Sequence, residues 1–368
     1  MRSFLFANEA GTKHPAGQLR SDLIDNSRIN VAVIGVGAFG RNHARVYHQL
    51  QQEGQPVRLA AVVDADVGRA DAVAQEYGAR AFGSISQMTT SFPEVQAASV
   101  AVPTAEHRNA ARALMDCGID VLIEKPLAPS LAEADELIRV ARERGCIAQV
   151  GHLERFNPAV RATESVITKP MFFEIHRLSV FTPRSLDVDV ILDLMIHELD
   201  IMLSFVKAPV KEIRAVGLPI LSGKVDIANV RIEFQSGCVA NFTASRVSTE
   251  RVRKLRFFQP GQYVSLDYGR QDVLVFTVED GAEAGVQPSA VPGSLGLRNA
   301  APSVNPKIQM AKPPVVTEEP LSAEIRSFLQ SVRDRSRPTV SLEDGRKALD
   351  LGLRILAEIQ RHAGRVGL

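Results

Sequence analysis

Asp193 and His197 stand four residues apart in a largely apolar run from Leu192 to Leu199. On a helix both side chains would project from one face toward one point. An imidazole titrates near neutrality and can take a hydroxyl proton as a hydride leaves the same carbon, while the carboxylate orients the imidazole or binds a substrate hydroxyl. On spacing alone the pair also reads as an exposed ion pair. Glu198 and Asp200 are adjacent acids that read as structural or solvated. Lys125 stands in Glu124-Lys125-Pro126. A lysine is a compact charge that polarises a carbonyl or steadies a developing alkoxide, and Pro126 fixes φ and permits a special peptide geometry. Alone, that tripeptide is a surface turn. Gly35-Val36-Gly37-Ala38-Phe39-Gly40 is GxGxxG. Gly35 allows a tight turn, Gly37 lets backbone approach a pyrophosphate, and Gly40 allows close packing of helix on strand.

The elements around these residues are regular. Strands at Ile29 to Ile34, Val57 to Val63, near Ala81, Ala98 to Val102, Val121 to Ile123 and Ile147 to Val150 alternate with helices at Phe39 to Leu50, Gly68 to Tyr77, Glu106 to Cys117 and Ser130 to Arg144. Short Val, Ile and Ala strands without polar alternation fit a parallel sheet buried on both faces. Gly78, Gly118 and Gly145 fall where a left-handed residue closes a helix, and Ser130 with Glu133 reads as a capping box. This is the doubly wound dinucleotide-binding plan. The glycine loop then follows a strand and opens a helix, and the lysine turn lies at the carboxyl edge of the fifth strand, where such sheets bind ligands. Asp64 ends the second strand, placed for the ribose hydroxyls of NAD. No Arg or Lys follows it immediately, which favours NAD over NADP. Asp66 reads as a cap for the next helix.

Past Gly151 the texture changes. A helix at Val190 to Phe205 precedes strands at Val210 to Val216, Ala228 to Phe234, Cys238 to Ala244, Arg253 to Phe258, Tyr263 to Leu266 and Val273 to Val278. Ser236-Gly237 is a hairpin signal, and the series fits a largely antiparallel open sheet with one face covered. Gly281 to Pro314 reads as a long loop, and helices at Leu321 to Asp334 and Leu342 to Arg361 end the chain. The fold class is α/β. A mobile extension covers residues 1–27, a Rossmann domain 28–151, and an α+β domain for substrate binding and oligomerisation 152–368.

Composition narrows the function. Lys plus Arg number 43 against 42 Asp plus Glu in 368 residues, a net charge of +1, and aromatics are 5% with no Trp. That is poor material for binding a phosphate backbone or stacking bases, so nucleic acid is not a partner. No apolar run reaches membrane-helix length and the start lacks a signal-peptide core; a cytoplasmic protein is expected. Cys117, Cys146 and Cys238 form no CxxC pair and read as small buried thiols. HExxH and HxxxE patterns are absent, so no metal is suggested.

The glycine loop, the Val102-Pro103-Thr104 turn with His107, the Glu124-Lys125-Pro126 turn and Asp193-x-x-x-His197 together resemble the glucose-fructose oxidoreductase, inositol dehydrogenase and MocA family of NAD(P)-dependent sugar oxidoreductases, from about Ile29 to the C-terminus. The resemblance implies that the two turns flank the nicotinamide and that Lys125 is catalytic with His197 and Asp193. It also implies that Gly35, Gly37, Ala38, Phe39, Gly40, Asp64, Val102, Pro103, Thr104, His107, Glu124, Lys125 and Pro126 hold the cofactor. Gly151-His152-Leu153-Glu154-Arg155-Phe156-Asn157-Pro158 is similar to the segment in the branch that oxidises the 3-hydroxyl of UDP-N-acetylglucosamine, a step toward amide-linked lipid A.

His107, His152, Glu154, Arg155 and Asn157 each read as a substrate ligand or as an interdomain hydrogen-bonding residue. Arg246, Arg251, Arg253, Lys254 and Arg256 form a basic run suited to a substrate pyrophosphate, or to a solvated sheet edge. His43 and His176 have no assignment, and His14 lies in the extension. The alternatives are a dehydrogenase of another sugar or cyclitol and a non-catalytic NAD sensor. The open sheet needs covering on its outer face, and the resemblance implies that this is done in a homodimer or homotetramer.

Overall fold

The structure, a computed structural model, describes residues 28–182, 188–279 and 307–367. The expected 1–27 extension, with His14, and the 281–306 part of the expected loop lie outside the described residues. The first region runs β1 (Ile29–Ile34), α1 (Ala38–Gln52), β2 (Val57–Val63), α2 (Val67–Tyr77), β3 (Arg80–Phe82), α3 (Ile85–Ser91), β4 (Ala97–Val100), α4 (His107–Asp116), β5 (Asp120–Glu124), α5 (Leu131–Arg144) and β6 (Ala148–Gly151). Its parallel strands lie in the order β3-β2-β1-β4-β5-β6. Along β1, Val31 and Val33 enter one core while Ala32 and Ile34 enter another on the opposite face. Burial on both faces is why the strand lacks polar alternation. Reversal of strand order between β1 and β4 opens the crevice at which such sheets bind ligands.

Two local expectations change. The seven-residue α3 was not expected, since it buries only Met88 and leans on its Ser84 cap; so short a helix carries no readable period. At Ser130 only half a capping box forms, because the Glu133 carboxylate takes the Ser130 hydroxyl and not its backbone N–H. The reciprocal box sits instead at Ser341 and Asp344.

After a short 3₁₀ turn (Leu153–Phe156), the chain forms α6 (Pro158–Thr163), β7 (Phe172–Val180), a π-helical turn (Ile191–Met195), α7 (Ile196–Phe205), β8 (Val210–Leu218), β9 (Ile227–Phe234), β10 (Val239–Ser248), β11 (Val252–Gln259), β12 (Gln262–Asp267), β13 (Asp272–Glu279), β14 (Lys307–Ala311), α8 (Pro320–Asp334) and α9 (Leu342–Val366). The sheet order is β14-β13-β12-β11-β7-β10-β9-β8. Every pair is antiparallel except β7 with β10. β14 occupies residues expected in the long loop. A second unexpected strand is β7, near the sheet's centre: Phe173, Ile175 and Arg177 are buried on one face while Glu174, His176 and Leu178 are half-buried on the other. A charge at an inward position breaks the apolar alternation that reveals a strand.

Helices α7 and α9 cover the inner face through Leu199, Met202, Ile355 and Ile359. Helix α8 crosses back to the first region, where Leu321, Ile325 and Phe328 pack with Val31, Val33 and Tyr47. The residues after Gly151 are therefore shared between both cores. Of the three thiols only Cys238 is fully buried, and Cys117 is exposed.

Candidate active site

The glycine loop has the form its spacing implies. Gly35 adopts φ of +81°, and a Cβ there would lie 2.8 Å from the Ala101 carbonyl oxygen. A Cβ on Gly40 would lie 1.8 Å from the Gly35 oxygen, whereas nothing lies within 4 Å of one on Gly37. The outer glycines are thus fixed by packing and the middle one faces open space. Helix α1 begins on Gly37 with no side-chain cap among the described residues, so its first-turn N–H groups, including those of Ala38 and Phe39, can face an anion. These residues fit a dinucleotide pyrophosphate. Asp64 is positioned by backbone, accepting from Val36 N–H at 2.9 Å and Asp66 N–H at 2.9 Å. Asp66 caps α2. Although no cation follows Asp64 directly in sequence, the first turn of α2 brings Arg69 Nη1 to 3.4 Å from both Asp64 oxygens.

Two turns meet beside the loop. His107 is buried, with Nδ1 2.9 Å from the Pro126 carbonyl and Nε2 3.0 Å from the Val102 carbonyl. Its ring sits between the Val102-Pro103-Thr104 turn and the lysine turn and donates to one of the two carbonyls, and burial holds its pKa below the ordinary imidazole value. The Lys125–Pro126 peptide is cis. Lys125 Nζ donates to the Asp193 backbone oxygen at 2.7 Å and lies 3.5 Å from its carboxylate. Burial lowers the Lys125 pKa, opposed by the charges of Asp193 and Glu124.

The expected Asp193–His197 partnership is not the one formed. Asp193 lies in the π-helical turn Ile191–Met195 and His197 in the first turn of α7. Asp193 turns to Lys125. His197 is buried, and its Nδ1 has no hydrogen-bond partner among the described residues. His152 lies edge-on to it with ring centroids 6.3 Å apart. Burial, then the charges of Arg177 and Lys125, hold His197 well below the ordinary imidazole pKa. An imidazole so placed stays unprotonated at neutral pH, the form a base requires.

Behind His197 lies a set of ionisable groups that sequence reasoning did not assemble. Arg177 Nη1 bonds Glu198 at 2.6 Å and Glu154 at 3.2 Å. Arg253 stands 3.8 Å from Glu154. Burial pushes the Glu198 carboxyl up to about 7, opposed by Arg177. Glu198 and Asp200 are structural as expected, yet buried in ion pairs and not solvated. Arg155 lies 3.4 Å from Asp200. Asn157 donates to Glu154 at 3.1 Å and caps α6 through Ala159 N–H. Glu154, Arg155 and Asn157 therefore bond within the second region, to Arg177, Asp200, Tyr268 and the start of α6, while His152 lies against His197.

The basic run does not act as one patch. Arg246 is buried, 3.6 Å from Asp226 and bonded to the Val188 carbonyl. Lys254 and Arg256 lie across from His176 and Glu174 on the outer face of the sheet, whereas Arg253 shares the inner face with the buried Leu255 and Phe257. Strand alternation sends neighbours to opposite sides, and only Arg253 of these is brought to the site. Among the described residues no group of three or more His, Cys, Asp or Glu is arranged to hold a metal.

Comparison with known proteins agrees with this geometry. Residues 29–152 match the oxidoreductase family with an NAD-binding Rossmann fold, and residues 160–259 match the GFO/IDH/MocA C-terminal domain. UDP-N-acetylglucosamine 3-dehydrogenase of Acidithiobacillus ferrooxidans is 34% identical over 333 residues, 90% of this chain and 97% of that protein. Its solved structure superposes with a TM-score of 0.78 at 31% identity, covering 91% of this chain and 98% of that one. The scyllo-inositol 2-dehydrogenase (NAD(+)) of Bacillus subtilis is 28% identical over 60% of this chain and 68% of its own. Levoglucosan dehydrogenase in complex with NADH shares the fold, with a TM-score of 0.76 at 16% identity over 91% of this chain and 98% of that one.

Proposed function

Because the chain belongs to the Gfo/Idh/MocA oxidoreductase family, we propose that it oxidises the 3-hydroxyl of UDP-N-acetylglucosamine to the 3-keto sugar. The observation that carries the chemistry is the meeting of Lys125, from the first region, with Asp193 and the buried His197, from the second. NAD, when bound at the glycine loop, supplies the hydride acceptor. His197 takes the hydroxyl proton as the C–H bond gives up its hydride. Lys125, held by Asp193, donates to the same oxygen as it becomes an alkoxide and then a ketone. His107 keeps the two flanking turns together. Arg253 is the cation offered to the sugar's diphosphate. The product would serve an aminotransferase that feeds lipid A assembly. Among the described residues no helix is long and apolar enough to cross a membrane, and a cytoplasmic site of action is part of the proposal.

One observation favours a second reading. With the basic run divided, the diphosphate has one arginine and not a cluster, which suits a free sugar or cyclitol. Nicotinamide reduction with UDP-N-acetylglucosamine, free N-acetylglucosamine and scyllo-inositol decides between them. Turnover confined to the nucleotide sugar supports the first reading, and a preference for either free substrate overturns it.

The outer face of the second sheet supports self-association. Phe172, Phe258, Tyr263 and Phe276 form a ladder across four strands, with successive ring centroids 5.6, 5.0 and 5.5 Å apart. Met310, paired with Phe276 and 65% exposed, continues it. A homo-oligomer that covers this ladder is part of the proposal, and Phe258→Asp should reduce the sedimenting mass to that of a single chain.

A further inference from the structure

Helix α1 carries more than the glycine loop. His43, three residues after Gly40, is fully buried and bonded at both ring nitrogens: Nε2 lies 3.0 Å from Glu124 Oε1, and Nδ1 lies 3.0 Å from Ser99 Oγ. Ser99, on β4, is 2.9 Å from the hydroxyl of Tyr47, one turn further along α1. The second oxygen of Glu124 accepts the backbone N–H of Lys125 at 3.3 Å. Tyr47, Ser99, His43 and Glu124 are all buried, and they form one continuous run from the phosphate-facing helix to the backbone of the lysine.

One assignment of hydrogens gives every donor in this run an acceptor. Tyr47 O–H donates to Ser99, Ser99 O–H donates to His43 Nδ1, and His43 Nε2–H donates to Glu124. Reversing the run would leave the Tyr47 hydrogen facing no acceptor of the run, a costly arrangement in a buried site. Ser99 and Tyr47 thus set the tautomer that presents a donor to Glu124.

We propose that His43 is a positioning residue for Lys125, acting through Glu124. The inference rests on the reading of Lys125 as the group that holds the substrate oxygen. Lys125 is anchored at its far end by Asp193 and at its backbone by Glu124. A buried carboxylate takes whatever donors are in reach. The charge of Glu124 already acts on the Lys125 ammonium. Without the His43 donor, Glu124 turns to that ammonium and draws it away from the substrate. Hydride transfer then slows, while the glycine loop and the sugar contacts remain.

Two substitutions separate the two ends of the imidazole. In His43→Gln the amide nitrogen falls near the place of Nε2 and keeps a donor on Glu124. In His43→Asn the polar group falls near Nδ1, which keeps Ser99 and abandons Glu124. The expected result is a fall in kcat of about 10²-fold for His43→Asn, with sugar KM and calorimetric NAD Kd little changed, and a loss at least about tenfold smaller for His43→Gln. Equal losses in both variants, no loss in either, or a loss confined to KM or Kd would overturn the proposal. Should neither variant fold, the ¹⁵N shifts of His43 in the wild-type protein decide: the Nε2–H tautomer supports it and the Nδ1–H tautomer overturns it. Lys125→Ala in the same assay keeps the premise separate. If that variant turns over normally, the reading of the lysine fails. If it is inactive while His43→Asn is fully active, only the present inference fails.

Discussion

The two regions that meet at Lys125 are ordered by different means. On the first sheet the contacts come from backbone: glycines that admit close approach, an uncapped helix start, and an Asp64 fixed by two N–H groups. In the second region the order comes from charged side chains packed against one another, with Arg177 between Glu154 and Glu198 and Arg155 against Asp200. A backbone site tolerates any side chain that keeps the turn, and is broken by one added methyl group. A side-chain site tolerates added bulk at its rim, and is broken by removing one charge.

The largest effect should follow from breaking the second region. Arg177→Met leaves Glu154 and Glu198 without their shared cation, and loss of one partner of a buried ion pair costs about 3–5 kcal/mol. Denaturant unfolding should show that loss while the first region still binds NAD in calorimetry. Next comes Gly40→Ala, which brings a methyl group to the Gly35 oxygen. Overpacking of this kind costs about 1–3 kcal/mol, and here NAD affinity should fall together with stability.

A third effect is a pH dependence that the Glu198 carboxyl of the second region brings. The Glu198 carboxyl is raised from 4.5 to about 7, so the folded chain keeps a proton that the unfolded chain has released. Its stabilising contribution is fully present below pH 4.5 and is lost as pH rises through about 7. The difference amounts to about 3 kcal/mol at most. Glu198→Gln should flatten the fall in stability between those limits, which Tm measured across that range will show. A parallel curve for the variant would assign the pH dependence elsewhere. His197 moves the opposite way: held below the ordinary 6.5, it should place the acid limb of kcat/KM below pH 6.5.

The same contrast explains what was legible in the sequence. Glycine spacing, helix caps and apolar strands are local, and they located the loop, Asp64, the lysine turn and all six strands of the first sheet. The second region depends on pairs remote in sequence. Arg177 hid β7 because a buried cation looks like a solvent-facing residue until Glu154 and Glu198 are placed around it. Asp193 pairs with Lys125, 68 residues earlier in the chain, a partner that the local spacing to His197 does not signal. The basic run near Arg253 read as one patch, although strand alternation splits it between two faces and Arg246 is drawn inward by Asp226.

In the proposed reaction residues of both regions act on one substrate oxygen, Lys125 from the first and His197 from the second. Single-turnover NADH formation from UDP-N-acetylglucosamine, measured for wild type, Lys125→Ala and His197→Ala, tests it most directly. The predicted result is a fall of about 10²–10³-fold in each variant, with NAD still bound. Wild-type rates in either variant would contradict it.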